Sequence, residues 1–343
     1  MPQPSARAIF PAILASLLLI ALAPLATAQL ELRLPTQNDA IFSNDPSKFY
    51  MYTYRHFEGV DSKPWSGGRF GFVRNQHRTS SGIVFTKFHE GLDIRTVSRD
   101  AAGKPSDNVR AIMPGTVVYV NSNSSASSYG KYIVVVHEGN FYSLYAHLNA
   151  TAAKKGQVVK AGDLLGKLGY TGAGINNERA HLHLELALLM NDRFETWYGK
   201  HFTSKNNHGI YSGFNLTGMD VAGLYHAHRA NPVITIPEFI ATAAPYYKVT
   251  VQNRGELALV KRYPWLKKTN GKGPSWEITF EKSGLPLEVK ASSKAVTYPA
   301  VTWVKDSPTN HSYHTQKRIS GSGAKATLTG SGSRYIQLMT GSF

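Results

Sequence analysis

Three short stretches carry imidazoles and carboxylates at spacings that can do chemistry together. The first is His181-Leu-His-Leu-Glu-Leu-Ala-Leu188, which alternates along its length. In a strand, successive side chains point to opposite faces. The four leucines therefore turn into a core, and His181, His183, Glu185 and Ala187 share the other face. Two imidazoles on one strand face can share a metal, or serve as ligand and proton-transfer group. Alone, the pair also reads as a solvated strand face. The second stretch is His89-Glu-Gly-Leu-Asp93. A neutral imidazole and a carboxylate are both zinc-donor types. Gly91 argues against a helix here, so Glu90 reads as a turn or solvated charge rather than the general base of a helical HExxH motif. The third is Ser143-Leu-Tyr-Ala-His-Leu148. Alternation puts Ser143, Tyr145 and His147 on one face, where Tyr145 either donates a hydrogen bond to a substrate or oxyanion or simply packs.

Taken together the stretches say more than each does alone. His89, Asp93 and one histidine of the pair make a His₂Asp donor set. Three protein ligands leave a fourth position open, the arrangement of catalytic rather than structural zinc. The two histidines left over can then move protons or stabilise an oxyanion.

These residues need a rigid frame, and the surrounding residues predict one. From Trp65 to Leu189 the chain reads as short strands separated by glycine-rich turns. Gly115–Val120, Lys131–His137, Phe141–Leu148, Val158, Leu164–Leu168 and His181–Leu188 are the expected strands, with a hairpin turn at Glu138-Gly-Asn140. No long amphipathic pattern interrupts them, so the fold class is mainly β, with an antiparallel sheet. Residues 29–64 are weakly patterned. Residues 191–232 are a connecting segment bordering the groove, with a short helix over Asp220–Arg229. Residues 233–343 return to strand patterns, including Tyr335–Leu338, and predict a second, smaller β domain.

The order of the motifs resembles the lysostaphin/LytM-type zinc endopeptidases of peptidoglycan. The resemblance rests on His89-Glu-Gly-Leu-Asp93, Gly115-Thr-Val117, Tyr129-Gly130, Tyr145-Ala-His-Leu148, Gly156-Gln-Val-Val-Lys-Ala-Gly162, Gly169-Tyr-Thr-Gly172 and His181-Leu-His183, in that order. It covers residues 65–190 and implies a barrel-like antiparallel metallopeptidase domain. It further implies His89, Asp93 and His183 as ligands of one Zn²⁺, and His147 and His181 as the catalytic pair. The implied activity is hydrolysis of peptide cross-links between peptidoglycan stems through a zinc-activated water. Two departures concern the groove wall. Ala173–Ala180 is longer and more charged than the family's usual turn, and Leu184 stands where an aromatic is common. Two other readings remain: a non-catalytic LytM-type binding or regulatory module, and a secreted lytic peptidase acting on Gly-rich proteins.

Composition bounds the setting. The 343 residues are 42% hydrophobic and 17% charged, which excludes a chain disordered throughout. There is no cysteine, so disulfides, thiolate zinc sites and cysteine nucleophiles are excluded. Lys+Arg 38 against Asp+Glu 22 gives a formal charge of +16, which favours anionic partners. Residues 231–343 hold 15 of the basic residues and 6 of the acidic ones, and interleave them with Tyr246, Tyr247, Tyr263, Trp265, Trp276, Trp303 and Tyr313. This pattern fits either an ordinary β core or binding of anionic cell-wall polymer; nucleic acid is not an expected partner. Residues 1–28 read as a signal peptide cleaved near Ala28, which predicts a periplasmic or secreted protein with no transmembrane anchor in its mature form. Of the remaining histidines, His137 reads as a solvated hairpin-edge residue, and His226 and His228 in the short helix and His311 and His314 in a polar loop read as structural or incidental.

Overall fold

The computed structural model describes residues 29–343. The expected signal peptide lies outside them. The architecture is mainly β with antiparallel sheets, as the patterning predicts. The central sheet has nine strands. Val158–Val159, Gly115–Asn121, Lys131–Val136, Phe141–Thr151, Leu164–Leu168 and Asn108–Arg110 follow one another in space. His181–Leu189 pairs with the long Phe141–Thr151 strand along one edge. Its other edge is shared in tandem by Leu92–Arg95, opposite residues 181–184, and by Leu216–Gly218, opposite residues 187–189. The sheet stays open rather than closing into a barrel. A hairpin of Gly71–Thr79 and Gly82–His89 leads the chain into it.

Residues 29–64 belong to this frame. Met51 N–H donates to the Asp93 carbonyl and Arg95 N–H to the Phe49 carbonyl, at 2.8 and 2.9 Å. Phe49 and Met51 are buried. The segment therefore covers the free edge of Leu92–Arg95, and the unpaired strand edge is removed. The connecting segment forms Phe194–His201 and the helix Val221–Ala230, close to expectation; the Asp220 carboxylate caps the latter by accepting from Gly223 N–H.

The C-terminal residues form a four-stranded antiparallel sheet in the order Pro286–Ser292, Ser275–Phe280, Tyr247–Gln252, Ala300–Val304. The expected strand at Tyr335–Leu338 is instead part of a helix, Gly330–Thr340. Tyr335, Ile336, Leu338 and Met339 are all buried, and their spacing matches one helical face rather than an alternating strand. Thr329 caps the first turn, and Gly341, at φ +72°, ends the helix. Leu184, Leu188, Tyr247, Ile278 and Leu338 all belong to one hydrophobic cluster, so the core continues from the nine-stranded sheet into the C-terminal block. Tyr246, Tyr247, Tyr263 and Trp276 are spent in this core, while Trp303 stays 43% exposed.

His137 departs from the solvated edge expected of it. It is buried, and its Nδ1 donates to the Pro114 carbonyl at 2.8 Å. Its Nε2 meets the Ser143 hydroxyl at 2.7 Å, which in turn lies 3.0 Å from the Tyr145 hydroxyl. Tyr145 accepts from Ile112 N–H at 2.8 Å, which completes the chain. Burial pushes the imidazole from 6.5 down to about 4. The fold thus disfavours its protonated form. Stability from this site is full above the unfolded value of about 6.5 and drains away as pH falls towards about 4. We expect about 3 kcal/mol to be lost between pH 7 and pH 4 on this account. Denaturant unfolding of wild type and His137→Leu across that range should show the variant with a correspondingly flatter profile; equal slopes would refute the assignment.

Candidate metal centre

The site is built on the pairing of His181–Leu189 with Leu92–Arg95. His183 stands directly opposite Asp93 in that register, so their side chains leave the sheet on one face. Leu182, Leu184, Leu186 and Leu188 fill the core behind. His89 ends the hairpin, and the Glu90-Gly91 turn brings it back over Asp93. Only glycine fits at position 91, since a Cβ there would lie 2.3 Å from the Leu184 carbonyl oxygen. His89 Nε2 and Asp93 Oδ1 are 3.1 Å apart, His183 Nδ1 and Asp93 Oδ1 3.0 Å, and His89 Nε2 and His183 Nδ1 3.1 Å. All three side chains are buried.

The far sides of these groups are already engaged. His89 Nδ1 donates to the Arg69 carbonyl at 2.8 Å. His183 Nε2 donates to Glu185 Oε1 at 2.9 Å, and that carboxylate also accepts from the Tyr129 hydroxyl at 2.6 Å. The other Asp93 oxygen accepts from Arg74 Nη2 at 2.5 Å. With their outward protons committed, both rings in their neutral form turn lone pairs towards the Asp93 oxygen, and the proton that His183 otherwise keeps on that side is the one a cation would displace. Three acceptors cannot satisfy one another, whereas a cation between them satisfies all three. A tetrahedral site with donor distances near 2.0–2.1 Å has edges of about 3.3 Å, close to the spacing found here. The residues present therefore fit a zinc ion. Burial pushes the Asp93 carboxyl up, but His89, His181 and Arg74 outweigh it and hold it well below the ordinary carboxylate range. Burial pushes His183 down, and its bonds to Asp93 and Glu185 raise it to about 9.

His147 and His181 face the same space. Their rings are 4.9 Å apart, and His181 Nε2 lies 3.4 Å from Asp93 Oδ1. His147 Nδ1 donates to the Thr171 carbonyl at 2.8 Å and His181 Nδ1 to the Arg179 carbonyl at 2.6 Å. Both Nε2 atoms are thereby turned inward. Burial, with His181 and His183 beside it, holds the His147 imidazole well below its ordinary value.

The route by which His147 arrives differs from the alternation expected. The pairing runs Lys131 with Leu148 but Ile133 with Tyr145, so Ala146 and His147 both stand opposite Tyr132. This is a β-bulge, and His147 occupies it at φ +61°. Without the extra residue His147 would point into the core beside Tyr145. Tyr145 itself pairs with Leu184 on the core face, is fully buried, and bonds Ile112 and Ser143. It does not reach the groove, so the expected substrate or oxyanion contact at Tyr145 is corrected to a core role. Glu90 is likewise not a solvated charge. It is half-buried in the groove, where burial and then Glu185 push its carboxyl up. Spacing did not identify Arg74 or the pairing of Tyr129 with Glu185, because these contacts join segments far apart in the chain. The alternation of 181–188 did already place Glu185 on the histidine face.

Comparisons with known proteins show what the chain resembles in part. Residues 87–195 match the model described as Peptidase family M23. A Pseudomonas aeruginosa protein named lipoprotein NlpD/LppB homolog is 33% identical over 113 residues, 31% of this chain and 34% of that one. The murein hydrolase activator NlpD of Escherichia coli is 31% identical over 87 residues, 25% of this chain and 21% of its own. The chain thus spans about a third or less of the length of these curated relatives. A solved structure described as a zinc containing peptidase from Vibrio cholerae is 26% identical, covers 40% of this chain and 36% of its own, and has a TM-score of 0.26.

The chain should take up one zinc ion, and His183→Ala should abolish uptake. Arg74→Gln should weaken affinity by about 10- to 100-fold, since such outer partners orient the ligands; competition with a chromophoric chelator measures both. Gly172, at φ +103°, has no room for a Cβ, which would lie 2.3 Å from the Ser128 carbonyl oxygen and 3.1 Å from His147 Nδ1. Gly172→Ala should therefore displace the His147 ring while zinc uptake persists. An unchanged His147 imidazole NMR signal would contradict that.

Proposed function

We propose, on the premise that residues 87–195 form a peptidase family M23 domain of the lysostaphin/LytM type, that this protein is an exported zinc endopeptidase. Its substrate would be the peptide cross-links of peptidoglycan. The observation that carries the reading is the pair of non-ligand imidazoles, His147 and His181, turned onto the His89-Asp93-His183 donor set. A binding module needs no such pair. When bound, zinc supplies a Lewis acid and acidifies a water molecule.

The chain's own groups supply the remaining chemistry. Nε2 of His147 is a proton acceptor, because its Nδ1 proton is committed to Thr171 and burial disfavours a second proton. Nε2 of His181, 3.4 Å from Asp93 Oδ1, is a donor when it carries a proton. His147 then takes the proton of the attacking water, and His181 donates to the developing oxyanion. Thr171, Arg179 and Arg69 hold the rings in these orientations through backbone carbonyls. Walls on both sides of the groove position the stem peptide. We extend the reading to a periplasmic or secreted location, and to attraction of anionic wall polymer by the basic C-terminal surface. No helix among the described residues is long and apolar enough to cross a membrane, which is compatible with this.

The test is mass spectrometry of purified peptidoglycan digested with the zinc-loaded chain. Cross-linked dimers should disappear, and chelator or His183→Ala should prevent it. His147→Ala should keep its zinc and lose cleavage by about 100-fold or more, the usual contribution of a general base. Intact dimers after exposure to folded, zinc-loaded protein would overturn the reading. They would favour an activator role like the one named for the E. coli relative, or cleavage of Gly-rich proteins, which oligoglycine peptides would reveal.

A further inference from the structure

The groove that holds the metal donors encloses about 1290 Å³, and much of its wall lies outside the segment matched to the peptidase family. Seven cationic residues line it against two acidic ones, Glu90 and Asp93. Asp93 belongs to the metal centre. Several of the cations have internal partners: Arg74 is bound to Asp93, Arg55 donates to the Val73 carbonyl, and Arg179 to the Tyr52 carbonyl. Two further arginines, Arg318 and Arg334, come from the C-terminal block.

Arg318 is fixed without forming an ion pair among the described residues. Its guanidinium lies 3.9 Å over the Tyr335 ring, and one nitrogen donates to the Ser283 carbonyl. The Tyr335 hydroxyl bonds Thr217 at 2.7 Å, and Thr217 sits on the Leu216–Gly218 strand. That strand continues the edge of His181–Leu189 where Leu92–Arg95 leaves off. Arg318 is therefore tied rigidly to the sheet that carries the metal donors. Arg334 lies one residue before Tyr335 on the Gly330–Thr340 helix. Its carbonyl accepts from Trp197 Nε1 at 2.9 Å, which anchors its backbone. Among the described residues its guanidinium makes no hydrogen bond or ion pair. The groove is thus lined by a guanidinium fixed at Arg318 and an unengaged one at Arg334; none of its acidic residues comes from the C-terminal block, and Glu90 is the one whose charge Arg318 senses. The planar guanidinium fork matches a carboxylate.

We propose that Arg318 and Arg334 form a carboxylate-binding subsite that selects which peptides the metal centre accepts. The subsite rests on the reading of the groove as a peptide site. It recognises a carboxylate of the substrate, from either a free chain end or an acidic side chain. Wall peptides carry both, and amidation removes the charge from each. Substrate selection would then be set by the C-terminal block, and the family-matched segment would supply the chemistry.

The experiment uses purified cross-linked stem peptides in three forms: all carboxylates free, chain ends amidated, and side chains amidated. Zinc-loaded full-length chain should bind and cleave the free acid best. Amidation of the recognised group should raise KM by about tenfold, the scale of one charge-assisted contact, with kcat little changed. Whichever amidated form loses affinity names the source. Arg334→Gln should abolish the distinction between acid and amide; because that side chain has no internal partner, the variant should fold. Arg318→Gln should do the same, checked for folding by its thermal transition. Equal KM for all three forms in wild type would overturn the subsite and leave the peptidase reading standing. Calorimetric binding that discriminates acid from amide without any cleavage would support the subsite and overturn the peptidase reading. Neither binding nor cleavage would overturn both.

Discussion

Three lone pairs converge between His89, Asp93 and His183, and most of the surrounding structure exists to hold them there. A carboxylate and two neutral rings at 3.0–3.1 Å repel one another unless a proton or a cation lies between them. The chain overcomes that repulsion by fixing each group from behind. Arg69 holds one ring, Arg74 the carboxylate, and Glu185 the other ring. These partners also decide which nitrogen of each ring is free. Each ligand is held by a partner other than the metal, which limits the reorganisation that binding requires.

The same logic places the two remaining histidines, at some local cost. His147 adopts a left-handed backbone conformation that a non-glycine residue takes at roughly 1–3 kcal/mol. The bulge that imposes it is supported by the Thr171 carbonyl and by the close approach of Gly172 to Ser128. A regular strand would have left His147 in the core. His147 is one of six non-glycine residues at positive φ among the described residues, and the one of them that faces the metal donors.

Around this centre the chain adds segments that the matched domain does not contain. Residues 29–64 seal the edge of Leu92–Arg95 and contribute Tyr54, Arg55, His56 and Phe57 to the groove. The C-terminal block packs into the same hydrophobic cluster as the sheet and closes another side of the groove. A continuous core makes this wall rigid relative to the metal donors. Side chains on it can therefore act as fixed recognition groups.

Much of this was legible in the residues themselves. Alternation over His181–Leu188 fixed which side chains leave the core together, because a strand has a period of two. The spacing of His89 and Asp93, with Gly91 between them, marked a turn that returns a ligand to its neighbour. The donor types restricted the metal to one that accepts nitrogen and oxygen. Alternation failed at Tyr145 and His147, since a bulge inserts one residue and reverses the faces beyond it. It failed again at Tyr335–Leu338, where four apolar residues fit a helix as readily as a strand until packing chooses. Arg74, the burial of His137 and the basic wall of Arg318 and Arg334 were decided only by tertiary structure. Each depends on contacts between segments distant in the chain, and no local period encodes which distant segment will arrive.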